Sequence, residues 1–126
     1  MPRHILLIDD EEDIREVVAL SLESVAGWRV TSAGSGSEGI ELARRSRPDA
    51  ILLDVMMPEQ DGPATLRLLR GNGETSGIPV IFLTAKVQAI ERERLKEAGA
   101  VGFLSKPFNP VTLASEVSAI LGWPSQ

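Results

Sequence analysis

Five short apolar runs are spaced along the chain, and longer stretches with apolar positions at helical spacing lie between them. The runs cover residues 4–8, 28–32, 50–53, 79–83 and 101–105. Runs of this length that include β-branched and aromatic residues predict strands. Because strands and helical patterns alternate, the sequence predicts an α/β domain built on a parallel sheet.

The stretches between the strands predict helices with recognisable ends. After the first run, apolar residues from Ile14 to Val25 recur at helical spacing, and Gly27 is the expected end of that helix. Three further helices are predicted at residues 37–45, 63–70 and 88–98. Helices between consecutive strands are typical of a doubly wound fold, in which both faces of the sheet are covered.

The last helix is predicted to begin with Asn109 as its N-cap and Pro110 at the first helical position. Five strands and five helices then fit one compact domain over residues 1–126. Within it, residues 122–126 are expected to form a tail or the stub of a linker.

Composition and charge agree with an ordinary globular domain. Hydrophobic residues make up 43% of the chain, and the net charge of −5 argues against nucleic acid as a direct partner. The absence of cysteine excludes disulfides and thiolate chemistry. Because neither a signal pattern nor a membrane-length apolar run is present, we expect a cytoplasmic location without membrane insertion.

Four of the five predicted strands end on side chains that can handle phosphate or a metal ion. In chain order, these side chains are Asp9 and Asp10, Asp54, Thr84, and Lys106. Ligands of open parallel sheets gather beyond the carboxyl ends of the strands. The sequence therefore predicts one pocket that contains three acids, a hydroxyl and a lysine, and it suggests Mg²⁺-assisted phosphoryl chemistry.

Each of these residues also has a purely structural interpretation. The acidic run that begins at Asp9 suits a helix start, because carboxylates cap free N–H groups and offset the helix dipole. Thr84 alone is an ordinary strand-end residue, and Lys106 alone is an ordinary surface charge. Asp54 is harder to explain, since a carboxylate at the rim of a buried strand needs a partner. The combination is therefore far more specific than any single member.

Four motifs give the chain a close resemblance, over nearly its whole length, to the response-regulator receiver domain of two-component signalling. The family has an acidic pair after the first strand, a phosphoaccepting aspartate after the third, Ser or Thr after the fourth and Lys-Pro after the fifth. The matching segments are Ile8-Asp9-Asp10, Leu52-Leu53-Asp54-Val55-Met56-Met57-Pro58-Glu59-Gln60-Asp61-Gly62, Leu83-Thr84-Ala85 and Ser105-Lys106-Pro107-Phe108. The resemblance, nearest to single-domain chemotaxis receivers, implies a flavodoxin-like sheet in the order 2-1-3-4-5.

The resemblance also implies a phosphorylation site. Asp54 is expected to accept a phosphoryl group from a phosphohistidine on a histidine kinase or phosphotransfer protein. Lys106 and the Thr84 hydroxyl are expected to contact the phosphoryl oxygens. Such a domain assists its own phosphorylation and dephosphorylation without being a turnover enzyme. The only histidine, His4, lies at the start of the first predicted strand, so the phosphodonor must come from outside.

The same resemblance implies a Mg²⁺ site beside the phosphoacceptor. Asp10, Asp54 and the backbone carbonyl of Met56 are expected to hold the ion, with Asp9 in support. Three carboxylates at close range repel one another, which is a physical reason to expect a divalent cation among them.

A switch is implied as well. Thr84 is expected to turn towards the phosphoryl group and to leave room for Phe103, which stands where the family has an aromatic residue. Phenylalanine cannot donate a hydrogen bond as tyrosine would, so packing alone would separate its two positions. An effector protein is expected to bind the face formed by helix 4, strand 5 and helix 5. Lys86 stands where the family tunes hydrolysis of the phosphate.

Three alternatives remain open from the sequence. The chain could be a receiver domain cut from a longer regulator or from a hybrid kinase. A haloacid-dehalogenase-like phosphatase is disfavoured, since its second aspartate would fall at Met56. The Gly34, Gly36 and Gly39 spacing matches a dinucleotide-binding motif, but it follows the second predicted strand and leaves the acids, Thr84 and Lys106 without a role. We interpret these glycines as a loop and a helix start.

Overall fold

The computed structural model describes residues 2–85 and 89–124, which form a parallel five-stranded sheet with helices packed against it. Its strands follow the order β2-β1-β3-β4-β5, and the predicted doubly wound topology is confirmed. In chain order the elements are β1 (His4–Ile8), α1 (Glu12–Ala26), β2 (Arg29–Ala33), α2 (Gly36–Ser46), β3 (Ala50–Asp54), α3 (Gly62–Arg70), β4 (Val80–Thr84), α4 (Ala89–Glu97), β5 (Gly102–Ser105) and α5 (Leu113–Leu121).

The three central strands are buried at every residue, whereas the edge strands β2 and β5 are partly exposed. This difference explains the sequence pattern, because a parallel strand covered on both faces needs apolar side chains on both. Alternate residues along β1 pack into two separate hydrophobic cores, one on each face of the sheet. Ile5 and Leu7 of β1 belong to the core that includes residues of α1 and α5, and Leu6 and Ile8 belong to the core on the opposite face.

Strand register brings the carboxyl ends of the strands together at one edge. Ile8 of β1 lies opposite Leu53 of β3, and Asp54 lies opposite Leu83 of β4. Thr84 lies opposite Ser105 of β5. The residues that follow these positions therefore meet above the same edge, as the sequence predicted.

The predicted start of the last helix is wrong by three residues, although Asn109 does make a capping contact. Its side-chain Oδ1 accepts a hydrogen bond from the Val111 N–H at 2.9 Å, and its carbonyl accepts one from the Leu113 N–H at 3.0 Å. The Pro110 carbonyl instead accepts a hydrogen bond from the Ser21 hydroxyl of α1. Because that carbonyl is engaged outside the helix, residues 110–112 form a turn and α5 begins at Leu113.

Smaller differences affect other element ends. The second strand covers Arg29–Ala33, because the Trp28 N–H donates to the Leu22 carbonyl of α1 at 3.2 Å instead of joining the sheet. Gln88, where the fourth helix is predicted to begin, lies outside the described residues. Within the described part of the chain, no helix is both long and apolar enough to cross a membrane.

Candidate functional site

The end of β1 places a buried carboxylate at the edge of the sheet. Asp9 is fully buried, and its N–H donates to the Ala33 carbonyl at the end of β2 at 3.1 Å. Its Oδ1 accepts a hydrogen bond from the Glu11 N–H at 2.9 Å, which bends the chain towards α1. The Arg15 guanidinium donates to the Asp9 carbonyl at 2.8 Å. Backbone and side chain are therefore both held in place.

The end of β3 presents the second buried carboxylate. Asp54 is 3% exposed, and its Oδ1 accepts a hydrogen bond from the Met56 N–H at 3.3 Å. The following loop returns so closely that a Cβ at Gly62 would lie 2.5 Å from the Asp54 carbonyl oxygen, so only glycine fits there. Asp61 then caps α3 by accepting a hydrogen bond from the Ala64 N–H at 2.9 Å.

Lys106, directly after β5, provides the cation between these acids. Its Nζ lies 2.9 Å from Asp9 Oδ2, 3.4 Å from Asp54 Oδ1 and 3.6 Å from Glu11 Oε1. The lysine side chain is 13% exposed. Its backbone N–H donates to the Thr84 carbonyl at 2.8 Å, which ties it to the end of β4. The ends of β1, β3 and β5 therefore converge on one ion-pair cluster, and a backbone hydrogen bond joins the end of β4 to it.

Burial and neighbouring charges shift two pKa values in this cluster. Burial raises the pKa of Asp54 to about 6, and the charge of Asp9 acts in the same direction, while Lys106 and the Met56 N–H oppose them. Burial lowers the pKa of Lys106, but its close ion pair with Asp9 and the charges of Asp54 and Glu11 outweigh burial, so that pKa is raised. At neutral pH the lysine stays charged, and Asp54 can act as a carboxylate.

The arrangement suits a hard divalent cation. Asp9, Glu11 and Asp54 each offer a carboxylate oxygen, and these oxygens all lie within 4.8 Å of one another. Asp9 Oδ2 is buried and, among the described residues, accepts no well-aligned hydrogen bond, although Lys106 lies at ion-pair distance. Three carboxylates at this spacing, one of them on the fully buried Asp9, form an all-oxygen donor set of the kind that fits Mg²⁺.

The structure brings together most, but not all, of the predicted site residues. Asp9, Asp54 and Lys106 are in contact, whereas Asp10 is exposed and lies outside the carboxylate group just described. Glu11 joins this carboxylate group although the sequence did not predict it as a site residue, because the acidic run suggested helix capping. A signal for Glu11 was its position two residues after Asp9, which suits a turn in which the carboxylate binds the next-but-one N–H.

Three further predicted residues lie around this cluster. The Met56 side chain is 77% exposed, and its backbone contacts Asp54. Thr84 is buried at the end of β4. Phe103 lies on β5 opposite Phe82 and is partly buried against the core that contains Phe82. Lys86 lies outside the described residues.

Close packing accounts for two glycines of the dinucleotide-like motif. A Cβ at Gly36 would lie 2.3 Å from Thr65 Oγ1, and one at Gly39 would lie 2.3 Å from the end of the Ile8 side chain. Ser35 caps α2 by accepting a hydrogen bond from the Glu38 N–H at 3.2 Å. The interpretation of this segment as a loop and a helix start is therefore confirmed.

Comparison with known proteins finds response regulators both among family models and among curated relatives. A family model described as the response regulator receiver domain matches residues 5–118. The chain is 39% identical over 120 residues to the probable transcriptional regulatory protein TcrX of Mycobacterium tuberculosis, covering 95% of this chain and 50% of that protein. It is 41% identical over 117 residues to the response regulator MprA of Mycobacterium leprae, covering 93% and 50%. The chain thus spans about half the length of these curated relatives.

Solved structures agree with these sequence matches. The chemotaxis protein CheY4 of Vibrio cholerae superposes with a TM-score of 0.89 at 32% identity, covering 95% of this chain and 99% of that one. The receiver domain of the sensor histidine kinase PA1611 of Pseudomonas aeruginosa superposes with a TM-score of 0.84 at 33% identity, covering 97% and 99%. That structure contains a magnesium ion coordinated in its active-site cleft.

Proposed function

This chain belongs to the response regulator receiver domain family of two-component signalling, and from that premise we propose that Asp54 accepts the phosphoryl group. Receiver domains are signalling domains that interact with histidine kinases or phosphotransfer proteins and are generally not turnover enzymes. The observation that supports Asp54 best is its place at the end of the central strand β3, buried and 3.4 Å from the Lys106 ammonium.

The chemistry requires mainly positioning and charge neutralisation. A carboxylate oxygen of Asp54 forms a bond to phosphorus as the bond from phosphorus to the donor nitrogen or oxygen breaks, which yields an aspartyl phosphate. With a pKa of about 6, Asp54 is mostly deprotonated at neutral pH and is available as the nucleophile. The Lys106 ammonium can contact the transferred phosphoryl oxygens, and we propose the Thr84 hydroxyl as a second contact.

We propose that Mg²⁺ is held by Asp9, Asp54, the backbone carbonyl of Met56 and one further acid. Bound Mg²⁺ would supply charge neutralisation for the phosphoryl oxygens. The further acid is Asp10 by family resemblance and Glu11 by the distances in this structure. Measuring Mg²⁺ affinity by titration of Asp10→Asn and Glu11→Gln distinguishes these two candidate ligands. Glu12→Gln, on the first turn of α1, is the charge-matched control. The variant with the larger loss of affinity identifies the ligand, and equal affinity in all three would contradict both assignments.

We propose that phosphorylation is read on the face formed by α4, β5 and α5. Lys106 connects this face to the phosphoacceptor, because it follows β5 directly and bonds the Thr84 carbonyl. Phe103 of β5 is only partly buried and can repack without breaking a side-chain hydrogen bond. A binding protein that distinguishes the two states needs such differential contacts. The cytoplasmic location and the absence of direct nucleic-acid binding stay predictions from the sequence.

Intact-mass measurement with a small-molecule phosphodonor tests the central proposal. We expect one Mg²⁺-dependent phosphate per chain, and we expect Asp54→Asn to lose it completely because the nucleophilic oxygen is gone. Asp49→Asn is the matched control, since Asp49 lies at the opposite end of the sheet and an asparagine there can still accept the hydrogen bond from the His4 N–H. Undiminished phosphate uptake by Asp54→Asn would refute the assignment.

The chain's relatives differ in what accompanies the receiver domain. TcrX and MprA are described as regulators, and PA1611 is a sensor histidine kinase. The proposed function is therefore phosphoryl acceptance at Asp54 and its readout by a binding protein, which does not depend on the domains that accompany the receiver in these relatives. The family match removes the phosphatase and dinucleotide-binding alternatives.

A further inference from the structure

Arg15, on the first turns of α1, reaches across the end of β1. Its Nη1 donates a hydrogen bond to the backbone carbonyl of Asp9 at 2.8 Å. The guanidinium also lies against Gly34, which follows β2, because a Cβ at Gly34 would be 3.3 Å from Arg15 Nη1 and 3.7 Å from Cζ. Arg15 is partly buried. One side chain thus joins three segments of the molecule at the edge where the acids converge.

The contacts of Arg15 close a small ring around the acidic loop. The Arg15 N–H donates to the Glu11 carbonyl at 3.1 Å, and the Glu11 N–H donates to Asp9 Oδ1 at 2.9 Å. The guanidinium bond to the Asp9 carbonyl completes this ring. The ring therefore holds the backbone of Asp9, the residue whose carboxylate lies 2.9 Å from Lys106 Nζ.

We propose that Arg15 is a positioning residue that holds Asp9 in its site geometry, and that Gly34 lacks a side chain so that the guanidinium can reach the Asp9 carbonyl. This inference rests on the proposed Mg²⁺-dependent function. It gives the first glycine of the Gly34 to Gly39 segment a role in the site, since a Cβ there would lie 3.3 Å from Arg15 Nη1 and would displace the guanidinium slightly. Residues that orient a metal ligand commonly affect affinity by about tenfold or more.

Charge and positioning predict opposite signs for the loss of Arg15, which makes the proposal testable. Through its charge alone, arginine repels a nearby cation, so Arg15→Met would raise Mg²⁺ affinity. Through positioning, Arg15→Met lowers it. Gly34→Ala changes no charge and places a methyl group against the guanidinium, so only positioning predicts an effect there.

Isothermal titration of Mg²⁺ into the wild type and its variants measures whether Mg²⁺ affinity rises or falls. We expect Arg15→Met to bind about tenfold more weakly, Gly34→Ala to lose affinity to a smaller extent, and Arg15→Lys to recover most of it because an ammonium can also donate to the Asp9 carbonyl. The double variant should be no weaker than Arg15→Met alone, since both changes remove one contact. Gly73→Ala is the matched glycine control, as a Cβ there has open space, and Arg45→Met, at an exposed position of α2, is the charge control.

A second measurement needs no metal. In the metal-free protein, the ¹³C shift of the Asp9 carbonyl should move in Arg15→Met and Gly34→Ala, return towards the wild-type value in Arg15→Lys, and stay unchanged in both controls. Unchanged or higher Mg²⁺ affinity in Arg15→Met would overturn the inference, as would a Gly34→Ala protein that matches Gly73→Ala in both measurements. If the wild type binds no Mg²⁺ while the carbonyl shift moves as expected, the proposed metal site fails and the positioning contact stands.

Discussion

The two ends of the sheet each bury one polar atom that, among the described residues, lacks a well-aligned hydrogen bond, and only one of these atoms lies in the candidate site. At the carboxyl end the atom is Asp9 Oδ2, and at the amino end it is Trp28 Nε1. The Asp9 oxygen is charged and has Lys106, Asp54 and Glu11 around it. The indole N–H is neutral, and the Trp28 ring that carries it packs edge to face against Trp123. A buried polar atom without a well-aligned hydrogen bond therefore indicates a ligand site when several charged side chains lie around it.

One titratable residue at each end of the sheet makes the stability of the fold depend on pH, and the two dependences have opposite signs. The folded-state pKa of Asp54 lies above the ordinary value of 3.8, so its stabilising contribution is complete below that value and is lost as the pH rises through about 6. Burial and the charge of Arg29 lower the pKa of His4 below 6.5, with Asp49 opposing them. The contribution of His4 is therefore present above pH 6.5 and is lost as the pH falls through its lowered pKa.

The largest expected effect tests the structural character of the amino end. Trp28→Ala should lower the free energy of unfolding by about 4 kcal/mol, because it removes a large buried ring from the core. Urea unfolding measures this loss. Trp123→Ala, which removes a partly buried ring, is the comparison and should cost less. At a temperature where Trp28→Ala remains folded, Mg²⁺-dependent phosphate labelling should persist, and its loss would contradict the separation of the two ends.

The next effect tests the charge balance at the carboxyl end. Lys106→Met should lower the free energy of unfolding at pH 7 by about 3 kcal/mol, since two buried carboxylates lose their cation. Adding Asp54→Asn should restore much of the loss because one of those carboxylates is then gone. Chemical unfolding of both variants tests this. Equal losses in the single and double variants would show that the ion pairs are not the cause.

A smaller effect of opposite sign concerns Asp54 alone. Asp54→Asn should raise the free energy of unfolding at pH 7 by about 2 kcal/mol. The raised pKa of Asp54 means that its charged form is less stable in the folded protein than in the unfolded chain, and asparagine carries no such charge. The gain should shrink towards zero as the pH approaches 4, where the wild-type carboxyl is protonated. Unfolding curves from pH 4 to pH 7 measure it, with Asp49→Asn as the control. A gain independent of pH would point to packing instead.

The smallest effect concerns His4. Its Nε2 lies 2.8 Å from the Thr31 hydroxyl, so Thr31→Val should cost about 1 kcal/mol at pH 7 by removing that partner. Ser32→Ala, at an exposed neighbouring position on β2, is the control. Phosphate labelling should be unchanged in both variants. A reduced labelling rate in Thr31→Val would mean that the two ends of the sheet are coupled.

The sequence predicted the parts of this molecule that depend on strand order. Asp9, Asp54 and Lys106 each follow an apolar run directly, so parallel register alone brings them together. Glu11 and Arg15 could not be predicted in this way, because their contacts arise from the turn between β1 and α1. The start of α5 was missed for a similar reason, since a hydrogen bond from Ser21, distant in sequence, engages the Pro110 carbonyl.

The contact between Trp28 and Trp123 also determines how this protein can be observed. The chain contains two tryptophans and no tyrosine, and the two indole rings meet edge to face with centroids 5.4 Å apart. The Arg3 guanidinium lies over the Trp123 ring. Near-ultraviolet absorbance and fluorescence therefore come mainly from one ring pair at the amino end, about 20 Å from Asp9 along the direction of β1. Intrinsic fluorescence should report unfolding clearly and phosphorylation weakly, so the optical signal provides an internal reference against which changes at the phosphoacceptor can be measured.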